Sequence, residues 1–260
     1  MSRQTTGARH VAVIAIFAAL VQASCSRPAP PRHLTIAAAS DLKFAMEELA
    51  VEFRRGHPGV DIRPTYGSSG NFYSQIRGGA PFDVFLSADV DYPRRLVKDG
   101  IGAAASLFVY GQGRIVIWVP AGSKLDPATA LHDATLRHVA IANPAHAPYG
   151  RAAGAAMRSL GVYDALRGKL VLGENVAQAF EFVQSGAAEA GIVALSLALA
   201  PPARNQGRYW EIPLDAYPRI EQGGVILRDS GEAGAFRAFL LSAAARDVLK
   251  KYGFAAPEQR

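Results

Sequence analysis

"LTIAAASDLKFAMEELAVEF", residues 34–53, changes its period in the middle. Leu34 to Ala39 is a short, largely apolar run fit for a buried parallel strand. Behind it Leu42, Ala45, Met46, Leu49 and Phe53 recur at helical spacing. A buried strand that turns directly into an amphipathic helix is the first half of a β-α-β unit, and the turn between them carries Ser40 and Asp41.

The same alternation continues outward. Strands are expected at 60–66 and 82–88, with a short helix from Asn71 between them. The pattern renews itself after Gly111, with strands at 114–119, 138–142, near 170–172 and at 191–195, and helices at 150–160 and 177–184. Pro201-Pro202 and the Gly207 region mark a loop, strands follow at 209–212 and 224–227, and two alanine-rich helices end the chain. No short repeat period is present. The expectation is two α/β units built on parallel sheets, with the last helices free to pack on either.

With 260 residues, 50% hydrophobic and 19% charged, the chain is long enough to bury a sizeable core in one large domain or two smaller ones. The net charge of +6 is spread along the chain, without the basic run that a nucleic-acid site or polybasic membrane patch requires. Residues 1–25 read as an export signal: Arg3, Arg9 and His10 precede the apolar run Val11 to Val21, too short to span a bilayer, where about 20 residues are needed. Val21-Gln22-Ala23 fits ordinary signal-peptidase cleavage, whereas Ala23-Ser24-Cys25 is similar to the end of a lipobox, which would place a lipid anchor on Cys25. Cys25 is the one cysteine, so no intramolecular disulfide exists. Residues 26–32 form a proline-rich spacer.

Open parallel sheets bind ligands at the carboxyl ends of their strands, so the loops there carry the functional information. Four of them open a helix: Ala39-Ser40-Asp41, Gly67-Ser68-Ser69-Gly70-Asn71, Pro148-Tyr149-Gly150 and Asn175-Val176-Ala177. Each offers the unpaired N–H groups of a helix start, and three add hydroxyls, from Ser40, from Ser68 and Ser69, and from Tyr149. Donors outnumber acceptors, which suits an anion held by dipoles. Each serine also has the plainer reading of a helix cap, worth about 1 kcal/mol. Asp41 is awkward beside an anion and is expected to turn toward its own helix's first amides.

Other chemistries lack their motifs. The Ser69 loop lacks the second glycine of a nucleophile elbow, and no histidine sits in a recognisable partner motif. His33, His57, His132, His138 and His146 show no metal-ligand spacing, and Asp89-Val90-Asp91 lacks the rest of a calcium loop. No dinucleotide or Walker motif occurs. No bare metal cation and no cofactor is expected.

Four segments, "LTIAAASDLKFAMEEL", "YGSSGNFYSQIRGGAPFDVFLSADVDYP", "NPAHAPYGRAA" and "GENVAQAFEFVQSGAAEAGIVAL", resemble in order and spacing the periplasmic molybdate-binding proteins of ABC transporters. The resemblance runs from about Leu34 to Phe254. It implies a two-lobed periplasmic binding protein of type II, each lobe a mixed, mainly parallel sheet flanked by helices, with the cleft between lobes. Lobe I would comprise 33–113 and 214–260, and lobe II 114–213. By motif, Ser40 and Ser69, with Ser68 beside it, match the family's ligand serines, and Tyr149 and Val176 match positions that donate backbone N–H groups. Several members carry a ligand tyrosine directly after G-I-V, where this chain has Ala194, so the Tyr149 hydroxyl becomes the expected replacement donor.

Molybdate and tungstate are fully deprotonated near neutral pH and only accept hydrogen bonds, in keeping with loops rich in donors. The implied protein is a monomeric periplasmic carrier of molybdate or tungstate that delivers it to a membrane permease, with no nucleic-acid partner and no enzymatic turnover. The competing readings are a carrier for another oxyanion such as sulfate, or an enzyme on the same scaffold. A DNA-binding regulator would need a helix-turn-helix before the first strand, where only the export signal stands.

Overall fold

The computed structural model describes residues 32–257. The expected leader, Cys25 and the spacer up to residue 31 lie outside them, while Arg32, expected as the spacer's last residue, opens the first strand. Two five-stranded sheets follow, in the orders β2-β1-β3-β10-β4 and β7-β6-β8-β5-β9. The first comprises β1 (Arg32–Ala39), β2 (Val60–Gly67), β3 (Val84–Ser87), β4 (Phe108–Gly113) and β10 (Ile220–Ile226). The second comprises β5 (Ile115–Pro120), β6 (Val139–Ala142), β7 (Leu170–Gly173), β8 (Ala190–Ala194) and β9 (Gly207–Glu211). The chain crosses from sheet to sheet twice, at Arg114 and between β9 and β10.

β1 pairs in parallel with β2 and β3, and β6 with β7 and β8. β10 runs antiparallel to β3 and β4, however, and β5 antiparallel to β8 and β9. Each sheet is therefore mixed and mainly parallel in strand direction, with one strand, β10 in the first and β5 in the second, running against the other four. The crossing segments are the cause: β5 enters its sheet directly from β4 and β10 re-enters the first sheet from β9, and neither arrives by way of the helical crossover that a parallel neighbour requires.

The first strand buries every residue from Ile36 to Ala39. Its alanines let the helix Lys43–Gly56 lie close, and that helix turns Ala45, Met46, Leu49, Ala50 and Phe53 inward. Burying Met46, Leu49 and Phe53 contributes about 1.5 to 3 kcal/mol for each side chain. The helices Gly231–Leu240 and Ala243–Lys251 are capped by Ser230 and Ser242, whose hydroxyls accept from the amides of Ala233 and Ala245. Both join the first lobe's core, where Phe236 meets Phe53 edge to face at 5.3 Å. The second lobe packs around Trp118, which is fully buried in β5 with Phe180 against it.

Candidate functional site

The four loops singled out by their helix starts converge on one place. Ser40, Ser68, Ser69, Tyr149 and Val176 line a single small cavity between the sheets, about 10 Å³ in volume. Ala39, Asp41, Gly67, Ala88, Ala147 and Pro148 complete its wall. Ala194 is buried in β8 and takes no part in it.

Each hydroxyl is held differently. Ser69 is wholly buried, and its Oγ accepts the Ala88 amide at 2.9 Å. Ser40 Oγ accepts the Ala177 amide at 3.3 Å, from the opposite lobe, and does not cap the short helical turn Ser40–Leu42 that it begins. The plain capping reading of Ser40 is thus corrected: the turn brings the hydroxyl against the other lobe's helix, where a better donor waits. A hydroxyl that accepts an N–H keeps its own hydrogen to donate, so both serines are oriented as donors. Ser68 is the real cap, its Oγ accepting the Asn71 amide at 3.4 Å at the head of the helix Ser69–Arg77.

The second lobe contributes amides. Val176 opens the helix Val176–Gln184, whose cap Asn175 accepts from Ala177 and Gln178. The Val176 N–H, ahead of those two, has no acceptor within the helix. Tyr149 follows Pro148 at the first turn of the helix Pro148–Ser159, and since proline has no N–H, the Tyr149 amide is that helix's first donor.

The Tyr149 hydroxyl is placed otherwise than the sequence suggested. It donates to Asp41 Oδ2 at 2.9 Å, in a buried network where Gln222 Nε2 donates to the same oxygen at 2.8 Å and Tyr110 donates to Gln222 Oε1 at 3.0 Å. A phenol has one hydrogen, and here Asp41 holds it. Asp41 itself is 1% exposed, and its Oδ1 accepts no hydrogen bond. Burial pushes its pKa up from the ordinary carboxylate value to about 6, against the opposing pull of Tyr149, Gln222 and the nearby amides of Asp41 and Leu42. Those amides act as neighbouring dipoles, not aligned donors, so the expected turn of Asp41 toward its own helix is only half made. The cavity wall therefore contains an acceptor that the loops did not reveal. Burial likewise raises the Tyr149 and Tyr110 hydroxyls well above the usual phenol value, and the Asp41 charge adds to the effect.

Around the cavity the lobes are joined by direct contacts. His146 Nδ1 lies 2.9 Å from Ser68 Oγ, and the His146 carbonyl accepts the Gly70 amide at 2.9 Å. Ser196 Oγ donates to the Asp41 carbonyl at 2.7 Å. Arg151 spans to Asp89 at 2.5 Å and to the Tyr92 hydroxyl at 3.2 Å. This is a closed arrangement. His146 Nε2 stands 3.5 Å from Glu174, which gives a serine, histidine and glutamate in line that sequence spacing did not show. Ser68 caps a helix with that same oxygen and Glu174 is largely exposed, so the line ties the lobes together and lacks the buried orienting carboxylate of a nucleophile triad. Among the described residues no group of His, Cys, Asp and Glu is placed to hold a metal ion, and no helix is long and apolar enough to cross a membrane.

Residues 34–255 match the family model for bacterial extracellular solute-binding proteins. The chain is 38% identical to the molybdate-binding protein ModA of Rhodobacter capsulatus over 87% of its own length and 90% of that protein's. It is 37% identical to the molybdate-binding protein ModA of Azotobacter vinelandii over 93% and 96%. The solved periplasmic molybdate-binding protein of Azotobacter vinelandii superposes with a TM-score of 0.80 at 32% identity, covering 86% of this chain and all of that one.

Proposed function

Because the chain belongs to the bacterial extracellular solute-binding protein family, we propose that it binds a tetrahedral oxyanion, molybdate or tungstate, between its lobes and hands it to the membrane permease of an ABC transporter. It acts as a monomeric periplasmic carrier, without turnover, and the anion needs no cofactor. On this reading the lobes are 33–113 with 214–260, and 114–213.

One observation carries the proposal: donors from four separate loops and both sheets surround one cavity of small volume. The Ser40 and Ser69 hydroxyls and the first amides of the helices at Tyr149 and Val176 point to a ligand that accepts from every side, as a fully deprotonated oxyanion does. Ser68, engaged by His146 and by its own helix, serves the rim and the closure more than the anion. The choice of molybdate over other oxyanions rests on the relatives named for it.

A thermal-shift panel on protein beginning near Pro28 tests it. Molybdate or tungstate at about 100 times its dissociation constant should stabilise the fold by roughly 2.7 kcal/mol. Sulfate and phosphate at the same concentration should give much less. Equal shifts with all four would replace the molybdate reading by a general oxyanion carrier, and no shift with any would end it.

A further inference from the structure

We propose that Asp41 takes up one proton when the oxyanion binds, so that this protein captures its ligand together with a proton from solvent. The inference rests on the oxyanion reading above and concerns the same cavity. Asp41 lines that cavity with Ser40, Ser69, Tyr149 and Val176, and is buried. Its Oδ2 is held by Tyr149 and Gln222, while Oδ1 has no hydrogen-bond partner.

The groups that hydrogen-bond to the Asp41 side chain, Tyr149 and Gln222, carry no positive charge. Tyr110 and Tyr217, the other titratable groups near this network, are phenols kept neutral by burial. The cations on neighbouring elements are engaged elsewhere: Lys43 with Glu181, Arg151 with Asp89, Arg94 with Asp91 and Glu221. His146 faces Ser68 and Glu174 at the rim and makes no recorded contact with the Asp41 side chain.

A dianion set beside an ionised carboxylate in so small a space repels it strongly, and among the described residues no side-chain cation is recorded against Asp41 to offset the repulsion. A proton on Asp41 removes one of the two charges. The balance is simple: the carboxylate and a solvent proton give a carboxylic acid, and no bond in the anion changes. The neutral acid also turns Oδ1 from an unmatched acceptor into an additional donor, in keeping with the rest of the wall. Burial has already brought Asp41 to about 6 without ligand, and a neighbouring dianion moves it higher.

The direction of the pH effect follows. The group's pKa is raised by binding, so the proton-linked gain is full below the ligand-free value and is lost as pH rises through the bound value. Molybdate affinity should be at its maximum below about pH 6, fall by up to tenfold per unit between that ligand-free value and the bound value, and level off above it. Titration calorimetry with sodium molybdate between pH 6 and 8.5, in two buffers of different ionisation enthalpy, should report uptake approaching one proton per anion. Asp41→Asn, neutral at every pH, should show no uptake and lose the pH dependence, which assigns the proton to Asp41. Should that variant not fold, Tyr149→Phe removes one hydrogen bond that lowers the Asp41 pKa and should move the wild-type midpoint to higher pH. Molybdate binding by the wild type without proton uptake overturns the inference alone, as does uptake that persists in Asp41→Asn or a midpoint unmoved in Tyr149→Phe. Absence of molybdate binding by the wild type overturns the oxyanion reading and this inference with it.

Discussion

Gly70→Ala should weaken molybdate binding by roughly 5- to 150-fold while leaving the ligand-free protein as stable as before. Gly70 lies in the first turn of the helix Ser69–Arg77 and sits where the two lobes touch. A Cβ there would stand 2.5 Å from the His146 carbonyl oxygen and 2.9 Å from the Tyr92 hydroxyl. The phenol end can swing away, but the carbonyl belongs to the opposite lobe's backbone and retreats only if that lobe retreats. Overpacking of this kind costs about 1 to 3 kcal/mol, and it falls on the closed arrangement alone. Away from the contact, alanine favours a helix over glycine by about 1 kcal/mol, so the open protein should not suffer. Calorimetric affinity beside a ligand-free melt separates the two effects. Wild-type affinity in Gly70→Ala would mean that the anion does not require the lobes to meet at His146.

Ser69→Ala should cost both affinity and stability. Its hydroxyl accepts the buried Ala88 amide and is left with one hydrogen for the anion. Removing a hydrogen bond to a charged group costs about 1.5 to 3 kcal/mol of binding, or roughly 10- to 150-fold. The Ala88 N–H then loses its acceptor, a further loss of about 1 to 3 kcal/mol of stability that exceeds an ordinary cap. Ser40→Ala makes the useful contrast, because the Ala177 amide still has Asn175 Oδ1 at 3.0 Å. That variant should lose comparable affinity with little loss of stability. If both serine variants melt early yet bind molybdate normally, the hydroxyls are structural only.

The β-α alternation and the place of the site were legible because both are local. The helix behind β1 buries Ala45, Met46, Leu49 and Phe53, all of them residues its period singled out apart from Leu42, which is buried in the turn before it. The four loops were legible because each helix start carries unpaired amides whatever else surrounds it. Strand β4 and the helix Asp91–Lys98 were missed. β4 owes its place to an antiparallel partner, β10, whose residues lie about a hundred positions away, and Gly111 and Gly113 within it read locally as turn residues.

The Asp41 network was illegible for the same reason. Tyr149 and Gln222 come to Asp41 from opposite sides of the fold, separated from it by 108 and 181 residues. A single glutamine in the run Glu221-Gln222-Gly223-Gly224 signals nothing until burial turns its amide onto Asp41 and the Tyr149 hydroxyl. His146 likewise has no motif of its own and acquires its role only when the lobes close on Ser68. Electrostatics that depend on long-range placement, Asp41's raised pKa among them, follow from tertiary structure and not from residue type.

The most direct test is diffraction at the molybdenum absorption edge from crystals grown with molybdate. One anomalous peak should lie in the cavity between the sheets, with its oxygens in hydrogen-bonding reach of Ser40 Oγ, Ser69 Oγ and the amides of Tyr149 and Val176. A peak elsewhere on the protein, with that cavity unoccupied, would contradict the assignment.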